Sequence, residues 1–434
     1  MTPPTLQRFV GVRALALMIV TVTVGAGIFG MPALAAHDLG ASAVLAYIAC
    51  AIIIGLVGLC LAEAGSRVSG TGGLYAFATA SFGPFAGGMV GMLLLTANGA
   101  FSNAAVAALF ADSVALLLPA FVAPMPRALL LIATYGVFAT LNIRGAREGA
   151  AVTQLITVIK LLPLVLLVVA GVFFIDPANL RWTVTPTFGT VTHASTALIF
   201  AFIGIEGALS LSGEVAAPAR TIPRAILVAM TGVVVLYIGV QLVAQGVLGD
   251  ALRGASTAPL ADTARVIFGS AGATFVLVAT IISILGYFAA DILAQPRVLL
   301  ALGEDGFLPK RVGAVHPIRK TPVVAIACYV GLALILALTG TFAALALVAA
   351  SGTLAMYLIC CVGVLRLRAK GIRGTEPPFV IPGGPLVPLL AALGILGLLS
   401  SLARSEVYAL GLVVVVCAIP YGIRRVRMRE PVRA

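Results

Sequence analysis

Apolar positions run along this chain in long stretches without a single charge. Ala14–Ala36, Leu39–Ala62, Ala225–Gly249 and Val266–Ala290 hold 23 to 25 residues each, and Val68–Ala111 and Thr321–Leu365 hold 44 and 45. A helix needs about 20 apolar residues to cross a bilayer. Each of the two longest runs therefore predicts two helices, or one helix and an interfacial piece. The turn signal Thr339-Gly340-Thr341 divides the second run. The pattern predicts twelve membrane helices, at about 11–36, 40–65, 86–111, 127–143, 149–175, 190–213, 223–248, 271–300, 322–339, 342–365, 384–403 and 406–423. Membrane strands would instead alternate polar and apolar residues in segments of roughly 10.

Composition agrees: 61% of residues are hydrophobic and 10% charged, too few charges to cover the surface of a soluble protein of 434 residues. The net charge of +12 would suggest nucleic acid in a soluble chain, and position changes that reading. If the N-terminus and the even-numbered loops share a side, that side collects 21 Lys and Arg, the odd loops hold 5, and Lys160 is left inside a span. Basic residues stay on the cytoplasmic side, so both termini are expected in the cytoplasm of a multi-pass plasma-membrane protein. The Arg366–Lys370 segment and the Arg-rich tail are expected against anionic lipid, with no nucleic-acid partner. The six Cys all fall within spans without metal-site spacing and read as packing residues. Glu63, Glu214 and Asp305 read as ion-pair partners of Arg67, Arg220 and Lys310 at helix ends.

Two spans carry weak points. Span 1 contains Gly25-Ala26-Gly27-Ile28-Phe29-Gly30 and then Pro32. This matches a dinucleotide fingerprint literally, but no strand precedes it and no acid follows near position 50. It reads either as close helix packing through small residues or as an unwound helix whose freed N–H groups can meet a carboxylate. Span 6 contains Phe200-Ala-Phe202-Ile-Gly204-Ile-Glu206-Gly207, with glycines around an intramembrane Glu. Interrupted helices five spans apart are the expected mark of a transporter built from two repeats.

Several segments resemble the amino acid–polyamine–organocation permeases. They are Gly25–Phe29; Ala62-Glu63-Ala-Gly-Ser-Arg67 with Gly72-Gly73-Leu-Tyr75; Phe202–Glu206 with Gly213-Glu214 through Pro223-Arg224; and Arg297 through Lys310. The resemblance implies the leucine-transporter fold. Helices 1–5 (residues 11–175) and 6–10 (190–366) would be inverted repeats with helices 1 and 6 discontinuous. Helices 11 and 12 (384–423) would be appended, between a short cytoplasmic N-terminus (1–10) and a basic tail (424–434). It implies an amino acid permease working by alternating access, sodium-independent and either proton-coupled or an exchanger. A polyamine or cationic-amine antiporter and an amino acid exporter are the alternatives; a membrane enzyme or a channel is the different class.

The resemblance also places the substrate. Its carboxylate would meet N–H groups around Ala26, Gly27 and Ile28. Its ammonium would meet carbonyls near Val22, Thr23 and Phe200, with Phe200 as an aromatic gate and Phe202 and Gly204 beside it. Asn98 is a candidate substrate hydrogen-bonder, and Asn103 shares that possibility or bonds a neighbouring helix. Lys160 resembles the helix-5 lysine of sodium-independent members and is a coupling candidate with Ser283, Asp291 and Glu206. Where those members show an Asn-Ser type stretch in helix 8, this chain has Phe288-Ala-Ala-Asp291. Asp291 is expected to offset Lys160 or to meet a cationic group of the substrate. The expected partners are a small-molecule substrate, a proton and the lipid bilayer, with no cofactor, in a monomer or homodimer.

Overall fold

The computed structural model describes residues 10–25, 27–68, 73–144, 150–183, 185–207, 215–254, 258–374 and 377–429, with backbone alone for 150–159 and 423–429. Ala26 and Glu214, singled out above, lie outside the described residues, as do Gly72 and Gly213. The described residues form helices and turns, with one isolated bridge between Val10 and Val215. The reason is physical: in lipid, backbone groups find no water, and a helix satisfies them within one segment.

The first apolar run is divided into α1 (Val12–Thr23) and α2 (Gly27–Leu39), and α3 follows at Val44–Arg67. The 44-residue run opens on a short helix, α4 (Gly73–Phe82). The chain then turns at Gly83, whose positive φ suits glycine, into α5 (Pro84–Leu93). A π-helical stretch, Leu94–Phe101, joins α5 to α6 (Ser102–Leu117). Next come α7 (Pro124–Arg144), α8 (Ala150–Gly171) and α9 (Phe188–Leu198), the last continued by a 3-10 turn over Ile199–Phe202. Helix α10 covers Pro218–Leu248, and α11 covers Pro259–Glu304 with a break at Gly269. The remaining helices are α12 (Val323–Thr339), α13 (Phe342–Ala369), α14 (Leu386–Leu399) and α15 (Arg404–Arg429). The turn at Thr339-Gly340-Thr341 does separate two helices, and the Thr341 side chain caps α13 by accepting from the Ala344 N–H.

Seven helical segments among the described residues are long and apolar enough to cross a membrane, and five shorter apolar helices accompany them. Large apolar side chains such as Phe173, Leu227, Leu393 and Leu412 face outward, where only lipid would make them stable. The interior is lined by small residues and by fully buried tyrosines: Tyr47, Tyr135, Tyr237, Tyr329 and Tyr357. Of the cysteines, Cys328 faces outward and the other five are buried, so the packing reading needs correction at that position.

One end of the bundle is tied by charge. The fully buried Glu63 of α3 accepts from Arg67 Nε at 2.8 Å, from Arg368 Nε at 2.8 Å and Nη2 at 2.6 Å, and from the Ile381 N–H at 3.0 Å. Arg67 also donates to the Ile372 carbonyl at 3.1 Å. The carboxylate therefore binds α3, α13 and the segment before α14 into one clasp. Sequence spacing anticipated Arg67; Arg368, 305 positions away, was not legible. The expected Asp305–Lys310 ion pair is not among those of the described residues: Asp305 accepts from the Tyr75 hydroxyl of α4 instead. Glu63→Ala leaves two guanidinium groups without their partner in a buried site. Unfolding in detergent should show a loss of about 3–5 kcal/mol, the usual cost of breaking a buried pair.

Candidate functional site

The two weak points of the sequence meet. Helix α1 stops at Thr23, where Val24 N bonds Val20 O at 2.8 Å and Gly25 N bonds Thr23 O at 2.8 Å; α2 starts at Gly27. Across from it, α9 passes into the 3-10 turn, and Gly204 has φ +123°, a backbone conformation that a side chain would strain. A Cβ on Gly204 would lie 2.9 Å from Thr23 N, and one on Gly27 would lie 3.1 Å from both the Phe200 ring and Ala201 Cα. Each glycine permits the other segment's backbone to approach.

Polar groups tie these segments down. The Tyr237 hydroxyl of α10 lies 3.0 Å from Thr23 O and 2.9 Å from Ala201 O, so its proton is shared between the two segments. Lys160 of α8, 5% exposed, donates to the Thr21 carbonyl at the end of α1. Glu206 accepts from Asn98 Nδ2 at 2.8 Å, from the Tyr357 hydroxyl of α13 at 2.5 Å and from the Gly204 N–H at 3.1 Å. Asn98 lies in the π-helical stretch and also donates to Thr353 Oγ1 at 3.4 Å. The candidate substrate-bonding amide is thus directed at a carboxylate.

Phe342 of α13 packs against this contact. Its ring meets Phe200 edge-on at 5.8 Å, and a Cβ on Gly30 would lie 2.7 Å from its edge. Ile28, Phe200 and Phe202 are buried, and Val22, though partly exposed, sets its side chain against Gly204: a Cβ there would lie 2.9 Å from Val22 Cγ1. The hydroxyls of Thr23 and Ser283 are buried without a hydrogen-bond partner among the described residues. Buried polar groups of this kind call for a ligand or water.

Asp291 departs from expectation. No ion pair joins it to Lys160 among the described residues. Its Oδ2 accepts from Asn103 Nδ2 at 2.7 Å and from the Tyr329 hydroxyl, and the Tyr287 hydroxyl lies 3.5 Å from Oδ1. Asn103 Oδ1 in turn accepts from Tyr135 at 2.6 Å. The expected offset of Lys160 by Asp291 is corrected, because α6 and α12 supply neutral donors to the carboxylate while Lys160 turns to a backbone carbonyl of α1. Tyr237, Tyr329, Tyr357 and Phe342 were missed in the sequence; a tyrosine within an apolar span was the available signal.

The family model described as amino acid permease matches residues 10–416. The chain belongs to that family. Among relatives of this permease, the serine/threonine exchanger SteT of Bacillus subtilis is 26% identical over 97% of this chain and 98% of its own length. The branched-chain amino acid permease BcaP of the same organism is 25% identical over 92% and 89%. The methylthioribose transporter of Bacillus subtilis is 27% identical over 89% and 87%.

Gly204→Ala should destabilise the permease by about 1–3 kcal/mol from backbone strain alone, with the contact at Thr23 N added. Gly207, around which a Cβ meets nothing within 4 Å, should accept alanine with little change. Thermal unfolding of the two purified variants side by side distinguishes a local requirement at Gly204 from a general intolerance of this stretch.

Proposed function

We propose that the chain is a secondary transporter of the plasma membrane that moves an amino acid by alternating access. The seven long helices, one of them doubled through Gly27–Arg67, and the shorter apolar helices fit twelve crossings with both termini cytoplasmic. The halves 11–175 and 190–366 are the two repeats, and α1–α2 and α9 with its continuation are their discontinuous first helices. One observation carries this reading: two interrupted helices contact each other through Gly27 and Gly204, with backbone groups and the unpartnered Thr23 hydroxyl beside them.

In this reading the substrate carboxylate meets N–H groups at the start of α2, including those of Gly27 and Ile28, where the helix dipole favours an anion. Ala26 belongs with them by sequence. The ammonium meets carbonyls at the end of α1, near Val22 and Thr23, and at Phe200. Thr23, Ser283, Phe202 and the Phe200–Phe342 pair surround the side chain. The hydroxyls and apolar side chains favour a small neutral amino acid, in keeping with the serine/threonine exchanger and the branched-chain amino acid permease among this chain's relatives. The methylthioribose transporter shows that similar chains also carry other small polar molecules. Lys160 holds its amine at the Thr21 carbonyl, which supports transport without sodium; the driving force is then a proton or a counter-substrate.

A thermal-shift screen of amino acids and polyamines tests substrate class, since a ligand at about 100 times its Kd adds about 2.7 kcal/mol to stability. Serine, threonine or a branched-chain amino acid should raise the melting temperature and show saturable counterflow in liposomes. Absence of both across the amino acids would remove the reading. Replacing sodium by potassium should leave counterflow unchanged. Lys160→Gln should alter the pH dependence of transport; an unchanged profile would take Lys160 out of the coupling.

A further inference from the structure

We propose that Asp291 is a proton-binding site, its proton carried on Oδ1 and donated to the Tyr287 hydroxyl. The two oxygens of the carboxyl have unequal surroundings. Oδ2 is saturated as an acceptor by the Asn103 amide at 2.7 Å and by the Tyr329 hydroxyl. Oδ1 has the Tyr287 hydroxyl at 3.5 Å, the long limit of a hydrogen bond whichever group donates. Oδ1 is therefore the oxygen with acceptor capacity to spare, where a proton can be carried, and the hydroxyl beside it can accept as well as donate. Gln295, one turn further along α11, directs its amide donor toward Asp291, one more neutral group at the carboxyl.

Charge accounting leads the same way. Asp291 has no ion pair among the described residues, although an isolated charge within a membrane segment is costly. The groups turned toward it are Tyr135 from α7, Tyr329 from α12, and Tyr287 from its own helix, with Glu206 within electrostatic reach beyond Tyr287. Every nearby cation is engaged elsewhere. Lys160 of α8 donates to Thr21 O, Arg127 of α7 pairs with Asp112 of α6 at 2.5 Å, and Arg297 of α11 turns back to Leu293 O. The donors around Asp291 are buried at 1% or less for Asn103, Tyr135 and Tyr329, whereas Asp291 itself is half-buried. The groups that hold the carboxyl are thus more deeply buried than the residue that carries it.

The proton site does not depend on the transporter reading; its use in driving transport does. Infrared difference spectroscopy of the full-length protein in lipid vesicles tests the site without any substrate, stepping the bath from about pH 9 to about pH 5, a range above the ordinary carboxyl titrations at about pH 4, so that exposed carboxylates contribute little. The low-pH state should show a carboxylic-acid C=O band that is absent in Asp291→Asn and retained in Glu206→Gln. In Tyr287→Phe, which removes the acceptor and keeps the carboxyl with its inner donors, the band should remain and move to higher frequency. If Asp291→Asn fails to fold, the Tyr287→Phe displacement alone decides. A band that is unmoved in Tyr287→Phe, that survives in Asp291→Asn, or that is absent from the wild type overturns the proposal.

Discussion

A helix broken inside a membrane exposes backbone groups that water cannot reach, and the arrangement around residues 21–27 and 199–206 follows from how those groups are satisfied. Side chains answer both broken segments, two from helices α8 and α10 and one from the broken segment itself. Tyr237 on α10 bridges the carbonyls of Thr23 and Ala201. Lys160 on α8 takes the Thr21 carbonyl, and Glu206 takes the N–H of Gly204. A freed backbone group left unpaired in such surroundings costs several kcal/mol, so these three side chains make two interrupted segments compatible with a folded core. The same requirement explains why tyrosine is frequent in the interior: it fills apolar space and carries one adaptable hydroxyl.

Charge is handled in two ways in one molecule. At Glu63 the carboxylate is matched by two guanidinium groups and a backbone N–H, which leaves little reason for it to change state. At Glu206 and Asp291 the donors are amides, hydroxyls and a backbone N–H, with no cation in contact among the described residues. The first arrangement suits a fixed tie between α3 and α13. The second leaves each carboxylate held by neutral donors drawn from several elements.

Much of this was legible in the sequence. Charge-free runs placed the helices because lipid tolerates few charges, and Gly25, Gly27 and Gly204 marked the segments where the helices stop or bend. The local pair Glu63–Arg67 was readable because i and i+4 share a helix face. The partners from distant helices were not. Arg368, Tyr357 and Tyr329 reach their carboxylates only once α12 and α13 are packed, and no spacing along the chain encodes that approach. Lys160 and Asp291, two opposite charges within apolar spans, invited pairing. The helices instead direct Lys160 to a carbonyl and Asp291 to amide and hydroxyl donors, so sequence identified the unusual groups without identifying what each one touches.

The π-helical stretch between α5 and α6 has a consequence for the whole interior. Asn98 and Asn103 are five positions apart, which on a regular α-helix places them about 140° around the axis from each other. Bonding from i to i+5 widens the turn and narrows that angle. Asn98 then reaches Glu206 while Asn103 reaches Asp291, two carboxylates carried by different elements. A single local change of helical phase thus lets one rod act as a common ruler for both acidic centres, fixing their separation while the segments around them differ in regularity.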